Sequence, residues 1–88
     1  MKEKELERGL KALANRRRLA IIKFLKKQKE ANVGRIAEEI RLSFKSTSRH
    51  LSVLLAADLV EKNQRSLEVF YSLAGNFSNP IRIIIEYL

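Results

Sequence analysis

The stretch Val33-Gly34-Arg35-Ile36-Ala37-Glu38-Glu39-Ile40-Arg41-Leu42-Ser43-Phe44-Lys45-Ser46-Thr47-Ser48-Arg49-His50-Leu51-Ser52-Val53-Leu54-Leu55-Ala56-Ala57 decides the fold. Val33, Ile36, Ala37 and Ile40 recur at helical spacing and give a short helix over 33–40. Arg41-Leu42 reads as a turn, and Ser43 is suited to cap a second helix from Phe44 to Ala57. On that helix Thr47, Leu51, Leu54 and Leu55 fall on one side, toward a core. Lys45, Ser48, Arg49 and Ser52 share the other, which is polar. A short helix, a tight turn and a second helix with a polar outer face make a helix-turn-helix. The major groove of B-DNA, about 12 Å wide, admits one helix, and short polar or basic side chains near its N-terminus reach base edges or phosphates. Lys45, Ser46, Ser48 and Arg49 are of that type at that end. Serines 43, 46 and 48 are mediocre helix formers crowded into the first turns, which weakens the view that this is only a solvated surface.

Outward from the motif, two helices precede it. The first spans about Lys2 to Ala14 with Leu6, Leu10, Leu13 and Ala14 at helical spacing, and Gly9 is a weak point inside it. Asn15 caps a second helix running to about Lys29, in which Leu19, Ile21, Ile22, Phe24 and Leu25 form a broad apolar face. Arg16, Lys23 and Lys27 lie opposite. After the motif the period changes from 3.6 to two. Leu59-Val60-Glu61-Lys62 is a short strand, Asn63-Gln64-Arg65-Ser66 a polar turn, and Leu67, Val69, Tyr71 and Leu73 alternate with Glu68, Phe70 and Ser72 as in a half-buried strand. Pro80 then opens a last, very apolar helix through Leu88. The fold class expected is mainly α with a two-stranded β wing, in the order α-α-α-α-β-β-α: a winged helix-turn-helix, with residues 1–88 forming a single domain.

Composition narrows the chemistry. Lys and Arg number 18 against ten Asp and Glu, a formal net charge of +8, which favours an anionic partner. Charge alone does not separate a nucleic-acid binder from a protein with a solubilising surface. The chain has no cysteine, which removes disulfides, thiolate ligands and thiol redox sensing. No run of about 18 apolar residues is present to span a membrane. The charged start, Met1-Lys2-Glu3-Lys4-Glu5, leads into no signal-peptide core, so a cytoplasmic address is expected. His50 is the only histidine, without an evident nucleophile or acid partner, and no glycine-rich phosphate loop occurs, which argues against an enzyme. RNA binding would call for a stacking aromatic surface that the sequence lacks.

The sequence resembles ArsR/SmtB-type winged-helix repressors. The similarity starts at Leu10-Lys11-Ala12-Leu13-Ala14-Asn15, Arg18-Leu19 and Ile21-Ile22. It continues through Ile36-Ala37-Glu38-Glu39-Ile40 and Leu42-Ser43, and is strongest at Ser48-Arg49-His50-Leu51-Ser52-Val53-Leu54. Ala57-Asp58-Leu59-Val60 and Val69-Phe70-Tyr71-Ser72-Leu73 complete it in unbroken order. MarR- and GntR-type winged helices share some of these motifs singly.

The resemblance implies that Phe44, Lys45, Ser48 and Arg49 face the major groove of double-stranded DNA, with Ser46 and Ser52 beside them. The wing, with Lys62, Asn63, Gln64 and Arg65, approaches the adjacent backbone or minor groove. Arg49 suits a bidentate contact to guanine; Lys45, Lys62 and Arg65 suit phosphates. Phe44 departs from the family's usual polar residue and has two destinations, a thymine methyl or the core. His50 fits a core edge or a phosphate contact better than a ligand site. Many members of the family sense metals through Cys, His or acidic clusters, and the matching stretches here, Ala31 to Gly34 and Pro80 to Leu88, hold no Cys or His. No metal and no cofactor are therefore expected. The run Asn15-Arg16-Arg17-Arg18 replaces the family's frequent Asp-Pro step and adds charge for backbone contact or for steering.

In the family the first and last helices pair across a two-fold axis. Here residues 1–14 and 80–88 would supply Leu6, Leu10, Leu13, Ile81, Ile84, Ile85 and Leu88, an exposed apolar patch unless they complete the protomer core. A two-fold homodimer sets two reading helices about one DNA turn apart and favours a palindromic operator. The function expected is sequence-specific transcriptional regulation by a homodimeric repressor. The alternative is a winged helix that binds protein and never DNA; Lys45 and Arg49, with no acid between Phe44 and Ala57, weigh against it.

Overall fold

In the computed structural model, which describes residues 2–88, eight elements follow one another. They are α1 (Glu3–Leu13), α2 (Arg16–Gln28), β1 (Glu30–Asn32), α3 (Val33–Ile40), α4 (Phe44–Ala56), β2 (Val60–Arg65), β3 (Glu68–Leu73) and α5 (Asn79–Glu86). Ile21, Ile22 and Leu25 of α2, Ile36 of α3 and Thr47, Leu51 and Leu54 of α4 are fully buried, so α2 is the post on which the helix-turn-helix packs.

Helix starts follow side-chain chemistry. The Asn15 side chain accepts from the N–H groups of Arg17 and Arg18, Asn32 from Arg35, and Ser43 from Ser46, each satisfying otherwise orphaned donors. Helix ends use a costlier device. Lys29, Arg41 and Asp58 adopt φ of 70°, 56° and 60°, left-handed conformations on non-glycine residues. After α3, Leu42 N–H donates to Ala37 O at 3.0 Å and Arg41 N–H to Glu38 O at 3.4 Å. After α4, Leu59 and Asp58 repeat the pattern onto Leu54 and Leu55. Both are Schellman ends, and the first turns the chain between the two helices of the motif.

Two expectations about the sheet are corrected. The sheet has three strands in the order β1-β3-β2, both pairings antiparallel, because Glu30-Ala31-Asn32 pairs with Ser72, Tyr71 and Phe70. Three residues are too few to show a period, and what recruits them is the free edge of β3. The hairpin tip also moves: Asn63, Gln64 and Arg65 lie within β2, opposite Phe70, Val69 and Glu68, and the turn is Ser66-Leu67. Ser66 takes the left-handed conformation there, with φ of 57°. Leu67 consequently leaves the half-buried strand expected for it and is 98% exposed.

The terminal helices are corrected in part. Leu13, Ile81 and Ile85 are buried in the protomer's own core and cannot belong to an exposed patch, whereas Leu6, Ile84 and Leu88 are half-buried and Leu10 exposed. The reason is Gly9. A Cβ there would stand 3.0 Å from Ile81 Cδ1, so the glycine that weakens α1 as a helix lets α5 close over it. Lys26 adds a second tie, its Nζ donating to Ile85 O at 3.3 Å and Glu86 O at 3.1 Å, a cation at the negative end of α5.

Candidate nucleic-acid interface

Helix α4 shows two unlike faces. Thr47, Leu51 and Leu54 are buried, while Phe44, Lys45, Arg49 and Ser52 are exposed and Ser46 and Ser48 half-exposed. Spacings of four residues (44, 48, 52 and 45, 49) put these side chains on one stripe that starts at the capped end. The helix carries no acid between Phe44 and Ala56, and among the described residues neither Lys45 nor Arg49 makes an ion pair. Two cations without ionic partners among the described residues thus stand on the first turns of a helix, an arrangement that attracts phosphate and presents donors to base edges. Of the two destinations open to Phe44, the structure gives the outward one: the residue is 62% exposed and stands on a groove between the start of α3 and β3.

Strand alternation splits the four wing residues. Lys62 and Gln64 share one face with Tyr71 and Val69, whereas Asn63 and Arg65 share the other with Phe70 and Glu68. Arg65 is not free. Its guanidinium contacts the Glu30 carboxylate at 2.5 Å and lies 4.1 Å from the centre of the Phe70 ring. Strand β1 supplies that carboxylate, so missing the strand also hid the pairing.

The basic run before α2 is likewise divided. Arg16 and Arg17 are exposed, but Arg18 turns inward. Its Nε donates to Ala12 O at 2.5 Å, one terminal nitrogen to Lys11 O at 3.3 Å, and the other stands 3.2 Å from His50 Nδ1. One guanidinium therefore caps the C-terminus of α1 and braces it against α4, a positioning role rather than steering. A signal was present: cations in the first turn of a helix oppose its dipole, so a charge held there needs a partner elsewhere. His50 sits at the core edge. Partial burial first, then the charges of Arg18, Arg17 and Arg49, hold its pKa below the ordinary value of 6.5. The neutral ring, protonated on Nε2, accepts the Arg18 bond at Nδ1. Among the described residues no group of three or more His, Asp or Glu gathers at metal-binding distance, and no helix is long and apolar enough to cross a membrane.

Comparison with known proteins gives a consistent picture. The family model described as bacterial regulatory protein, arsR family, matches residues 15–62, from the α2 cap to the first half of β2. The transcriptional activator HlyU of Vibrio cholerae is 37% identical over 79 residues, covering 90% of this chain and 69% of HlyU. The solved structure of reduced HlyU superposes with a TM-score of 0.81 at 34% identity, over 97% of this chain and 85% of that one. The homodimeric winged helix-turn-helix DNA-binding domain of Mb0332 from Mycobacterium bovis gives 0.81 at 30% identity, over 96% and 74%. The transcriptional repressor PagR of Bacillus anthracis gives 0.81 at 27% identity, over 96% and 92%.

Proposed function

This chain belongs to the ArsR family of bacterial regulatory proteins and is a DNA-binding transcriptional regulator; we propose that it acts as a cytoplasmic homodimeric repressor, reads a palindromic operator through α4, and needs no bound metal. The observation that carries this reading is the acid-free stripe of α4, with Lys45 and Arg49 exposed and without an ion pair among the described residues. In this reading Arg49 pairs with guanine, Ser48 and Ser52 reach neighbouring base edges, and Lys45 and Lys62 hold phosphates. Phe44, being exposed, takes a thymine methyl. Asn63 and Gln64 follow the backbone beside Lys62, while Arg65 stays with Glu30 and Phe70.

Helices α1 and α5 form the dimer interface. Leu6, Leu10, Ile84 and Leu88 offer the surface, joined by Ile83 and Tyr87, which are 55% and 87% exposed. Leu13, Ile81 and Ile85 support it from beneath. The Mb0332 domain, homodimeric in its solved form, is consistent with that assembly. Repression is the simplest output of such a molecule, since occupying promoter DNA excludes other proteins from it. PagR is a repressor and HlyU an activator, so the sign belongs to this proposal and needs its own test.

Fluorescence anisotropy with a duplex from the chain's own promoter, a scrambled duplex and a salt series supplies the DNA test. A promoter reporter with and without the protein supplies the sign. Preference for the promoter with a steep salt slope, together with a reporter that falls, is the expected result. Equal affinity for both duplexes would reduce the protein to a nonspecific binder. Absence of binding at low salt would favour a protein-interaction role.

A further inference from the structure

The large exposed hydrophobic side chains fall into distinct places. Leu10, Ile83 and Tyr87 belong to α1 and α5, Val53 to the far half of α4, and Phe44 and Leu67 to the side where α4 begins. Leu67 is the extreme case. It is 98% exposed, so it contributes almost nothing to the protomer's packing, and it occupies the outermost turn of the β2–β3 hairpin beside Ser66. Its neighbours Gln64, Arg65, Ser66 and Glu68 are polar, so the leucine is a single apolar point on a polar tip. Leu67 and Val69 line one groove of about 460 Å³ between β3 and the start of α3 (Asn32, Val33, Gly34), and Phe44, the first residue of the reading stripe, is the one α4 residue on it. Of the residues that line that groove Glu68 alone is charged, at the tip and across the strand pair from Arg65. An acid there disfavours close approach to phosphate, and an apolar side chain gains nothing from phosphate. Leu67 is therefore matched to a base face rather than to the charged rim, and the Glu68 carboxylate has to be carried past that rim.

We propose that Leu67 is a wedge: with α4 in the major groove, the hairpin tip enters the neighbouring minor groove and Leu67 presses on a base step, so the chain selects DNA by deformability as well as by base edges. This rests on the DNA-binding reading above. Apolar side chains inserted at a base step unstack it partly and kink the duplex, by roughly 20–90° in architectural proteins. Pyrimidine–purine steps, TA above all, yield most easily, whereas A-tracts are stiff. The partner favoured is duplex DNA with a flexible TA step beside the bases read by α4.

Because Leu67 buries nothing, Leu67→Ala and Leu67→Asn leave the fold intact, which circular dichroism verifies. Three end-labelled 30-base-pair duplexes carry the test: one with TA steps, one an A-tract and one rich in G·C, read by anisotropy for affinity and by end-to-end energy transfer for bending. The wild-type chain is expected to bind the TA duplex about tenfold more tightly than the A-tract and to shorten its end-to-end distance, as for a bend of at least ~20°. Both variants lose the preference and the bend, while their salt slopes, set by the cations, stay unchanged. Leu67→Met restores both. Wild-type and variant proteins with the same preference and bend would overturn the wedge and leave DNA binding standing. Failure of the wild type to bind any duplex at low salt would overturn the wedge and the DNA-binding reading together.

Discussion

Arg49 on α4 and Arg65 on β2 are the same residue type in the two parts of a DNA-binding motif, and they stand in opposite states. Arg49 projects from a helix without acids and has no ionic partner among the described residues; Arg65 is paired with Glu30 and stacked on Phe70. For Arg49 a contact to DNA replaces water. For Arg65 it must also replace a carboxylate and an aromatic face, each of which stabilises the guanidinium where it is. A basic residue in the right motif is thus not always an available one, and the difference lies in what the neighbouring strand supplies.

The largest expected effect follows from that contrast. Arg49→Ala should cost about 1–3 kcal/mol of discrimination between operator and scrambled duplex. Arg65→Ala should cost well under that, equally on both duplexes, and Glu30→Gln should tighten both by releasing Arg65. Equal losses for the two arginines would break the contrast. The second comparison is within the basic run: Arg18→Ala should lower stability by about 1.5–3 kcal/mol through its lost bonds to Ala12, Lys11 and His50, and Arg17→Ala by less than about 0.5 kcal/mol. Urea unfolding checks both.

Smaller effects sharpen the contrast between the two faces of α4. Thr47 is fully buried and among the described residues its hydroxyl has no hydrogen-bond partner, so Thr47→Val should raise stability by about 1 kcal/mol without changing DNA affinity. Arg41→Gly relieves a left-handed residue at the turn of the motif and should gain at most about 1 kcal/mol, read from thermal unfolding. His50 gives the pH dependence. Its folded pKa lies below the 6.5 of the free side chain, so the unfolded chain takes up the proton first as pH falls. The stability from the neutral ring is complete above about 6.5 and is lost as pH drops through the folded pKa. Between pH 7.5 and 5.5 the wild type should therefore lose more stability than His50→Gln, in which no imidazole titrates.

The helices were legible because burial enforces their period. Ile36, Ala37, Leu51 and Leu54 face inward where 3.6-residue spacing sets them, and Asn15 and Ser43 carry their own capping chemistry. The wing was less legible. Asn63, Gln64 and Arg65 have turn-like polarity, yet backbone pairing to β3 holds them in a strand that is exposed throughout beyond Val60. Strand β1 has no periodic signal at all, being fixed by an edge formed some forty residues later in the chain. Arg18 shows the same limit in the site. Its charge was visible, but its role depends on carbonyls of α1 and a ring of α4 that only the packed structure brings together. In α5, the apolar excess was plain, and the room that Gly9 leaves for the Ile81 side chain was not.

The central claim, that α4 reads sequence while Arg65 is held back in the wing, is tested most directly by the salt dependence of operator binding. Wild type, Arg49→Ala and Arg65→Ala would be compared on operator and scrambled duplexes by anisotropy. The account predicts that Arg49→Ala brings the two duplexes to nearly equal affinity, while Arg65→Ala keeps the wild-type preference and changes the slope by less than about one ion. An Arg49→Ala protein that still prefers its operator as strongly as the wild type would contradict it.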